Sequence, residues 1–284
     1  MPGNNFMTLP KSFYDDLLKA HKNATNCPPP KKVVQFFNDL MKLLFPEFAD
    51  KRYTEESIIR SEMERCRLEL RSLFDLNEQC KNSGKSGVED QFFHEIPNIR
   101  SKLLLDVEAM YRGDPAAKSR AEVIRTYPGF YAIAAHRIAH ELLKMKIQII
   151  PRVISEYAHR QAGIDIHPGA EIGDHFCIDH GTGIVIGETT KIGSNVKIYQ
   201  GVTLGGLSVK KEDARKKRHP TIEDNVVLYA GATILGGDTA IGEGSVIGGN
   251  VWLTKSVPAG SKIYYQAKMT DTDGQGETDT ITFK

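Results

Sequence analysis

The stretch Ile178-Asp179-His180-Gly181-Thr182-Gly183 sets an acid and an imidazole side by side just before a glycine-rich corner. Histidine titrates near neutrality when unperturbed, so His180, held rigidly beside a groove, can act as a general base. The plainer alternative is a histidine that fills a turn. Asp165, in Asp165-Ile166-His167-Pro168, lies fifteen residues upstream, close to one coil of the repeat described below. A carboxylate on a neighbouring coil would accept the other ring N–H, fix the tautomer and stabilise the imidazolium. Arg218-His219-Pro220 presents a guanidinium able to grip a carboxylate through two parallel hydrogen bonds, or simply one more solvated charge in a basic loop. Cys177 offers a thiol nucleophile next to the pair, but it directly precedes an inward-facing isoleucine and reads as a small apolar packing residue.

These residues need a frame, and the frame is a six-residue period. One set of aliphatic positions is Ile166, Ile172, Ile178 and Ile184; a second, shifted by two, is Ile186, Ile192, Ile198 and Leu204. After an interruption come Ile222, Leu228 and Ile234, and after a one-residue slip Leu235, Ile241, Ile247 and Leu253. Neither a helix at about 3.6 residues per turn nor an alternating strand has this period. It marks a β-helix, in which each aliphatic residue points to the axis and stacks on its counterpart in the next coil.

The chain therefore reads as α+β, with an N-terminal α-helical domain over 1–161, a β-helix of hexapeptide repeats over 162–260 and an acidic tail, 261–284, expected to be mobile. Apolar residues at three- and four-residue spacing predict helices over 13–20, 32–44, 55–77 and 92–110, with Pro97 at a helix start or break. Asp114 before Pro115 is the arrangement of a helix N-cap followed by Pro at the first position. Tyr127-Pro128-Gly129 breaks the chain before a helix over 130–145, and 80–87 reads as a loop. Within the solenoid, 205–219 carries Lys210, Lys211, Arg215, Lys216, Lys217 and Arg218 against Glu212 and Asp213, so it must leave the coil as an exposed loop.

Composition bounds the partners. With 37 Lys and Arg against 36 Asp and Glu in 284 residues, the formal net charge is +1, so no global field draws nucleic acid or an anionic membrane. The four cysteines, Cys27, Cys66, Cys80 and Cys177, have no CxxC spacing, and the first residues lack a basic-then-apolar signal pattern. No apolar run nears the roughly 20 residues that span a bilayer. A cytoplasmic protein is expected.

From Tyr111 to Pro258 the chain resembles the serine acetyltransferases of the hexapeptide acyltransferase superfamily. The resemblance is carried by Arg112-Gly113-Asp114-Pro115, Gly129-Phe130, His136-Arg137-Ile138-Ala139-His140, Asp165-Ile166-His167-Pro168, Asp179-His180-Gly181-Thr182-Gly183, Gly187-Glu188-Thr189, Val202-Thr203-Leu204-Gly205-Gly206 and Arg218-His219-Pro220. It implies a left-handed parallel β-helix, an exception to right-handed crossovers, in a homotrimer or a dimer of trimers with active sites between neighbouring coils. It implies acetyl transfer from acetyl-CoA to the L-serine hydroxyl, the committed step of cysteine biosynthesis, with L-cysteine as an inhibitor in the serine site. On matching positions it makes His180 the base and Asp165 its partner, gives Asp114 and Asp179 to the substrate ammonium and Arg218 to its carboxylate, and places His219 in support.

The chemistry of the residues agrees: a zwitterion needs an anion at one end, a cation at the other and a base at its hydroxyl. For the coenzyme, Gly205, Gly206, Ala230 and Gly248 let a thin pantetheine arm approach the backbone, and Lys255 can meet its phosphates; glycine also serves corners for purely structural reasons. No metal and no permanently bound cofactor are expected. The chain ends Thr282-Phe283-Lys284, without the C-terminal isoleucine by which the family docks into cysteine synthase, so that complex is doubtful unless the natural chain continues.

Three rival readings differ in testable ways. An acetylator of homoserine or a sugar would share the frame but not the acceptor preference. A γ-class carbonic anhydrase, built on the same coil, would need three of His167, His175, His180 and His219 around zinc. A non-enzymatic scaffold would turn over no acetyl-CoA.

Overall fold

The computed structural model describes residues 9–77, 87–207, 216–265, 267–268 and 280–281. Its N-terminal half is helical: α1 (Lys11–Asn23), α2 (Pro30–Leu44), α3 (Glu56–Asp75), α4 (Val88–Gly113), α5 (Arg120–Thr126), α6 (Pro128–Lys144) and α7 (Ile150–Ala162). Helix α2 starts with Pro30 in its first turn, where the missing N–H costs nothing, and buries one stripe of Val33, Phe36, Phe37, Leu40, Met41 and Leu44. Helix α6 is buried on almost every side, with Ala132, Ala134, Ala135 and Ala139 letting its neighbours come close. Helix α1 differs: it buries nothing, and Phe13, Tyr14, Leu17 and Leu18 are exposed.

Two sequence expectations fail here for physical reasons. Pro97 sits inside the continuous helix α4, whose face Phe92, Ile96, Ile99, Leu103 and Val107 is buried against the core. That burial, at about 1.5–3 kcal/mol per large side chain, outweighs the cost of about 3 kcal/mol for an interior proline. Asp114 does not N-cap a helix. It is the C-cap of α4, and its carboxylate accepts a hydrogen bond from Ala116 N–H, closing a turn at 2.8 Å. The next N-cap is Ser119, which accepts from Glu122 N–H while the Glu122 carboxylate takes Lys118 N–H.

From Asp165 onward the described residues wind through fourteen strands of two or three residues into a parallel β-helix with three flat faces. The first face is β1 (Asp165–Ile166), β4 (Val185–Ile186), β7 (Thr203–Gly205), β10 (Thr233–Leu235) and β13 (Trp252–Leu253). The second is β2 (Glu171–Ile172), β5 (Lys191–Ile192), β8 (Thr221–Ile222) and β11 (Ala240–Ile241). The third is β3 (Cys177–Asp179), β6 (Lys197–Tyr199), β9 (Val227–Leu228), β12 (Val246–Ile247) and β14 (Lys262–Ile263). Strand register stacks Ile166, Ile186, Leu204, Ile234 and Leu253 in one column and Ile178, Ile198, Leu228, Ile247 and Ile263 in another.

The period therefore holds, with corrections. Ile184 is buried at a corner while Ile186 occupies the column, and Ile234, not Leu235, is the inward residue of β10. Ile263 extends the stack past residue 260. The middle of the inserted loop, 208–215, most of the tail and most of the 80–87 loop lie outside the described residues; Ala267–Lys268 and Thr280–Ile281 form an antiparallel pair. Among the described residues no helix is long and apolar enough to cross a membrane.

The two parts are joined by a buried ion pair. Arg137 of α6 donates to both oxygens of Asp106 on α4, at 2.6 and 2.8 Å, and also to the carbonyls of Ile172 and Gly173 on the first coil. Asp106 accepts in addition from Phe176 N–H at 2.9 Å. Gly129, at the start of α6, lies so close to β3 that a Cβ there would meet Ile178 Cβ at 2.8 Å. Replacing Arg137 by Met strands a buried carboxylate and two carbonyls, and is expected to cost about 3–5 kcal/mol in a urea titration, whereas Asp106→Leu with Arg137→Met costs less than the single change. A single-variant loss below about 1 kcal/mol would contradict this account of the joint.

Candidate active site

The corner that carries His180 is longer than its equivalents. Between the inward residues of the third and first faces the chain takes six residues from Ile198 to Leu204, from Leu228 to Ile234 and from Ile247 to Leu253, but eight from Ile178 to Ile186. The two additional residues lift His180 off the regular coil. Its backbone sits in the left-handed region at φ 57°, unusual for a residue with a Cβ, and the glycines at 181 and 183 follow at φ 94° and 81°. The imidazole side chain is 74% exposed.

Around it the structure gathers two carboxylates. Asp179 Oδ1 is 3.7 Å from His180 Nε2, and Asp179 Oδ2 accepts from Lys197 Nζ at 2.8 Å. Asp114, delivered by the end of α4, accepts from Tyr127 Oη at 2.5 Å. That bond, with the one from Ala116 N–H, holds the Asp114 carboxyl below the usual carboxylate range. Burial and the adjacent Asp114 push the Tyr127 phenol up to about 12, so it stays a donor. Asp165 is placed differently from the expected offset: its register partner is Val185, twenty residues on, so one coil is longer here than fifteen residues. Its N–H is bonded to Ile184 O, which ties it to the far side of the His180 corner. Among the described residues its carboxylate makes no hydrogen bond to the imidazole.

Arg218 and His219 stand elsewhere, on the edge between the first and second faces. Thr189 Oγ1 accepts the N–H groups of Arg218 and His219, at 2.9 and 3.1 Å, while Thr189 N–H donates to His219 Nδ1 at 3.1 Å. The Arg218 guanidinium pairs with Glu188. The His219 ring lies against Gly187, where a Cβ would come within 2.0 Å of Cδ2. Burial, followed by the positive charge of Arg218, lowers its pKa to about 4, so Nδ1 remains an acceptor. Face one separates this edge from His180.

The coenzyme candidates divide in the same way. Ala230 and Gly248 follow β9 and β12 on the edge of His180; Gly205 ends β7, and Gly206 and Lys255 follow β7 and β13, on the edge of Arg218. His175 stands on the third edge, so His175, His180 and His219 point along three different edges, and among the described residues no cluster of three or more His, Cys, Asp or Glu is built to hold a metal. Cys177 is buried against Gly113 and its thiol is pushed up to about 12, which removes the thiolate a covalent mechanism would need.

Lys197, Tyr127, Glu188 and Thr189 were given no role from sequence. Tyr127 read only as part of a breaker. An outward lysine on a solenoid face is ordinary, and nothing in the order of residues signals that α4 ends over Lys197. An open cleft of about 440 Å³ lies on its other side, bordered by Glu108, Arg112, His175 and Asn195.

No protein-family model matches the chain. It is 52% identical over 183 residues to a plasmid-encoded serine acetyltransferase of Synechococcus elongatus, a match covering 63% of this chain and 57% of that protein. It is 51% identical over 158 residues to a serine acetyltransferase of Bacillus licheniformis, covering 56% of this chain and 71% of that one. The crystal structure of Entamoeba histolytica serine acetyltransferase 1 in complex with L-cysteine superposes with a TM-score of 0.72 at 36% identity, covering 81% of this chain and 86% of the other.

The His219 environment makes a prediction about pH. A histidine whose folded pKa lies below its unfolded value binds fewer protons than the unfolded chain, so its contribution to stability falls as pH drops from about 6.5 toward about 4. The imidazole nitrogens of His219 should keep the NMR shifts of a neutral ring down to about pH 5. A titration midpoint near 6.5 would contradict the buried acceptor role.

Proposed function

Because this chain belongs to the serine acetyltransferases, we propose that it transfers the acetyl group of acetyl-CoA to the hydroxyl of L-serine, giving O-acetyl-L-serine for cysteine biosynthesis. The observation that carries this reading is the division of charge: Asp114, Asp179 and His180 on one edge of the β-helix, Arg218 on the other edge of the same face.

In this reading Asp114 and Asp179 receive the serine ammonium and Arg218 the carboxylate, by two parallel hydrogen bonds. His180 removes the hydroxyl proton as the oxygen attacks the thioester carbonyl, and Asp165, clasped to the same corner, stabilises the imidazolium. The tetrahedral oxyanion collapses, the C–S bond breaks, and the proton on His180 passes to the departing thiolate of CoA. Both substrates meet in one site, so no acetyl-enzyme forms. Neutral His219, through Thr189, fixes the backbone that presents Arg218. L-cysteine has the same ammonium and carboxylate and is expected to compete with serine.

A small amino acid is far too short to reach across a β-helix face. The two half-sites therefore meet when the His180 edge of one copy lies against the Arg218 edge of the next. A closed ring of three copies satisfies all three such contacts, and acetyl-CoA would run in the same seam, past Ala230 and Gly248 of one copy and Gly205, Gly206 and Lys255 of its neighbour.

Mixed assemblies test this. His180→Ala is expected to lower turnover by roughly 10²-fold or more, and Arg218→Ala to weaken serine much more than acetyl-CoA. Co-expressed in equal amounts and assayed at serine concentrations too low for the Arg218→Ala variant to turn over, the two variants should recover about a quarter of wild-type activity, the share of seams that pair an intact His180 with an intact Arg218. No recovery in mixed assemblies shown by mass spectrometry to be intact would place both residues in a site within one copy.

A further inference from the structure

Lys197 does more than an outward lysine of a solenoid needs to do. Its Nζ lies 2.8 Å from Asp179 Oδ2 and 2.7 Å from the carbonyl of Gly113, and 4.5 Å from the centre of the Tyr199 ring. Its side chain is only 18% exposed; Lys191, one strand earlier and equally outward, is 52% exposed. Gly113 is the last residue of α4, so its carbonyl is among those with no partner inside the helix. A cation at that end also faces the negative pole of the helix. The next residue is Asp114.

The ammonium of Lys197 thus pairs with Asp179 directly and bonds the helix-end carbonyl that precedes Asp114, close enough to act on its charge. Gly113 makes this approach feasible, since a Cβ there would come within 2.9 Å of Cys177 Sγ and within 4 Å of Lys197 Nζ. Burial opposes the lysine charge, but the contacts with Asp179 and Tyr199 outweigh it, and the ammonium is retained. Two carboxylates at one small site repel one another, and without a counter-charge one of them is driven toward protonation. With Lys197 in place the trio carries one net negative charge, the complement of a single substrate ammonium.

Resting on the reading of the site as a serine pocket, we infer that Lys197 is a positioning residue for the acceptor's ammonium site, holding Asp179 and the Asp114 turn in place and balancing their charge beside His180. The charged and titratable groups gathered beside His180 are Asp179 from β3, Asp114 from the end of α4, Tyr127, which donates to Asp114, and Lys197 from β6, which pairs with Asp179; Asp165 of β1 is tied to the same corner through its backbone. Only Lys197 among them is a cation, so its removal favours the imidazolium and the base becomes available at higher pH.

The test compares Lys197→Met, Lys197→Arg and Lys197→Gln with wild type in steady-state kinetics from pH 5.5 to 9. Serine carries both charges, so surplus negative charge helps one end and opposes the other; lost geometry decides affinity. Lys197→Met should raise the serine KM roughly 5–20-fold with the acetyl-CoA KM within about twofold, and move the acid limb of kcat/KM up by roughly 0.5–1 pH unit. Lys197→Arg should keep the limb of wild type. An unmoved limb with both KM values raised alike would reduce Lys197 to a helix cap and overturn the inference, as would a folded Lys197→Met variant with the serine KM of wild type. If Lys197→Met fails to assemble, Lys197→Gln retains a donor without the charge, and an unmoved limb there overturns it equally. Wild-type protein that does not acetylate serine would instead refute the reading on which this inference rests.

Discussion

The buried contact between Asp106 and Arg137 fixes the relation between the helices and the coil, and with it the placement of Asp114 at the His180 edge. Its guanidinium satisfies one carboxylate and two carbonyls of the first coil at once, while that carboxylate also takes Phe176 N–H. An ion pair in such a place is costly to bury and still costlier to break, which gives it the power to specify one docking arrangement. Because α4 is held there, its last turn falls over the third face and Asp114 arrives beside Asp179. A helix free to slide by one turn would deliver a different residue.

The β-helix supplies rigidity by repetition, and the site is where the repetition is broken. Inward Ile and Leu columns stand six residues apart at the other corners between the third and first faces, and the corner at His180 uses eight. A left-handed backbone at His180 and at Gly181 is the local cost of that departure, whereas the one at Gly183 recurs at Gly201, Gly231 and Asn250 of the regular corners. The departure sets an exposed imidazole at the rim. On the opposite edge of the same face, the inserted loop returns as Lys216 to Pro220 and is pinned by Thr189 and the neutral His219. Regular coil between two irregular edges keeps the His180 and Arg218 groups on opposite edges of one face, which is why the proposed site joins two copies.

Much of this could be read from residues alone, for identifiable reasons. The inward aliphatic positions are visible because stacking imposes one requirement at a fixed interval. Asp179-His180 and Arg218-His219 are legible as chemical types next to glycine or proline. What escaped was set by register and by distant contacts. The fifteen-residue offset from Asp165 suggested adjacency, but the lengthened corner makes the first coil twenty residues. Pro97 looked like a break because its local cost is plain in sequence and the burial that offsets it is not. Asp114 followed by Pro115 fits a helix start, yet the helix ends there and the aspartate closes a turn. Lys197 has no signature at all, since the carbonyl it caps lies 84 residues away in sequence.

The central claim is that the acceptor is held by charge at both ends, with its hydroxyl presented to His180. Initial rates with acetyl-CoA and three acceptors measure it most directly: L-serine, ethanolamine, which lacks the carboxylate, and 3-hydroxypropionate, which lacks the ammonium. Each missing charge-assisted contact is worth about 1.5–3 kcal/mol, so kcat/KM for serine should exceed that for either fragment by about 10–100-fold or more. Equal rates with ethanolamine, or a preference for an uncharged acceptor such as a galactoside, would contradict the account.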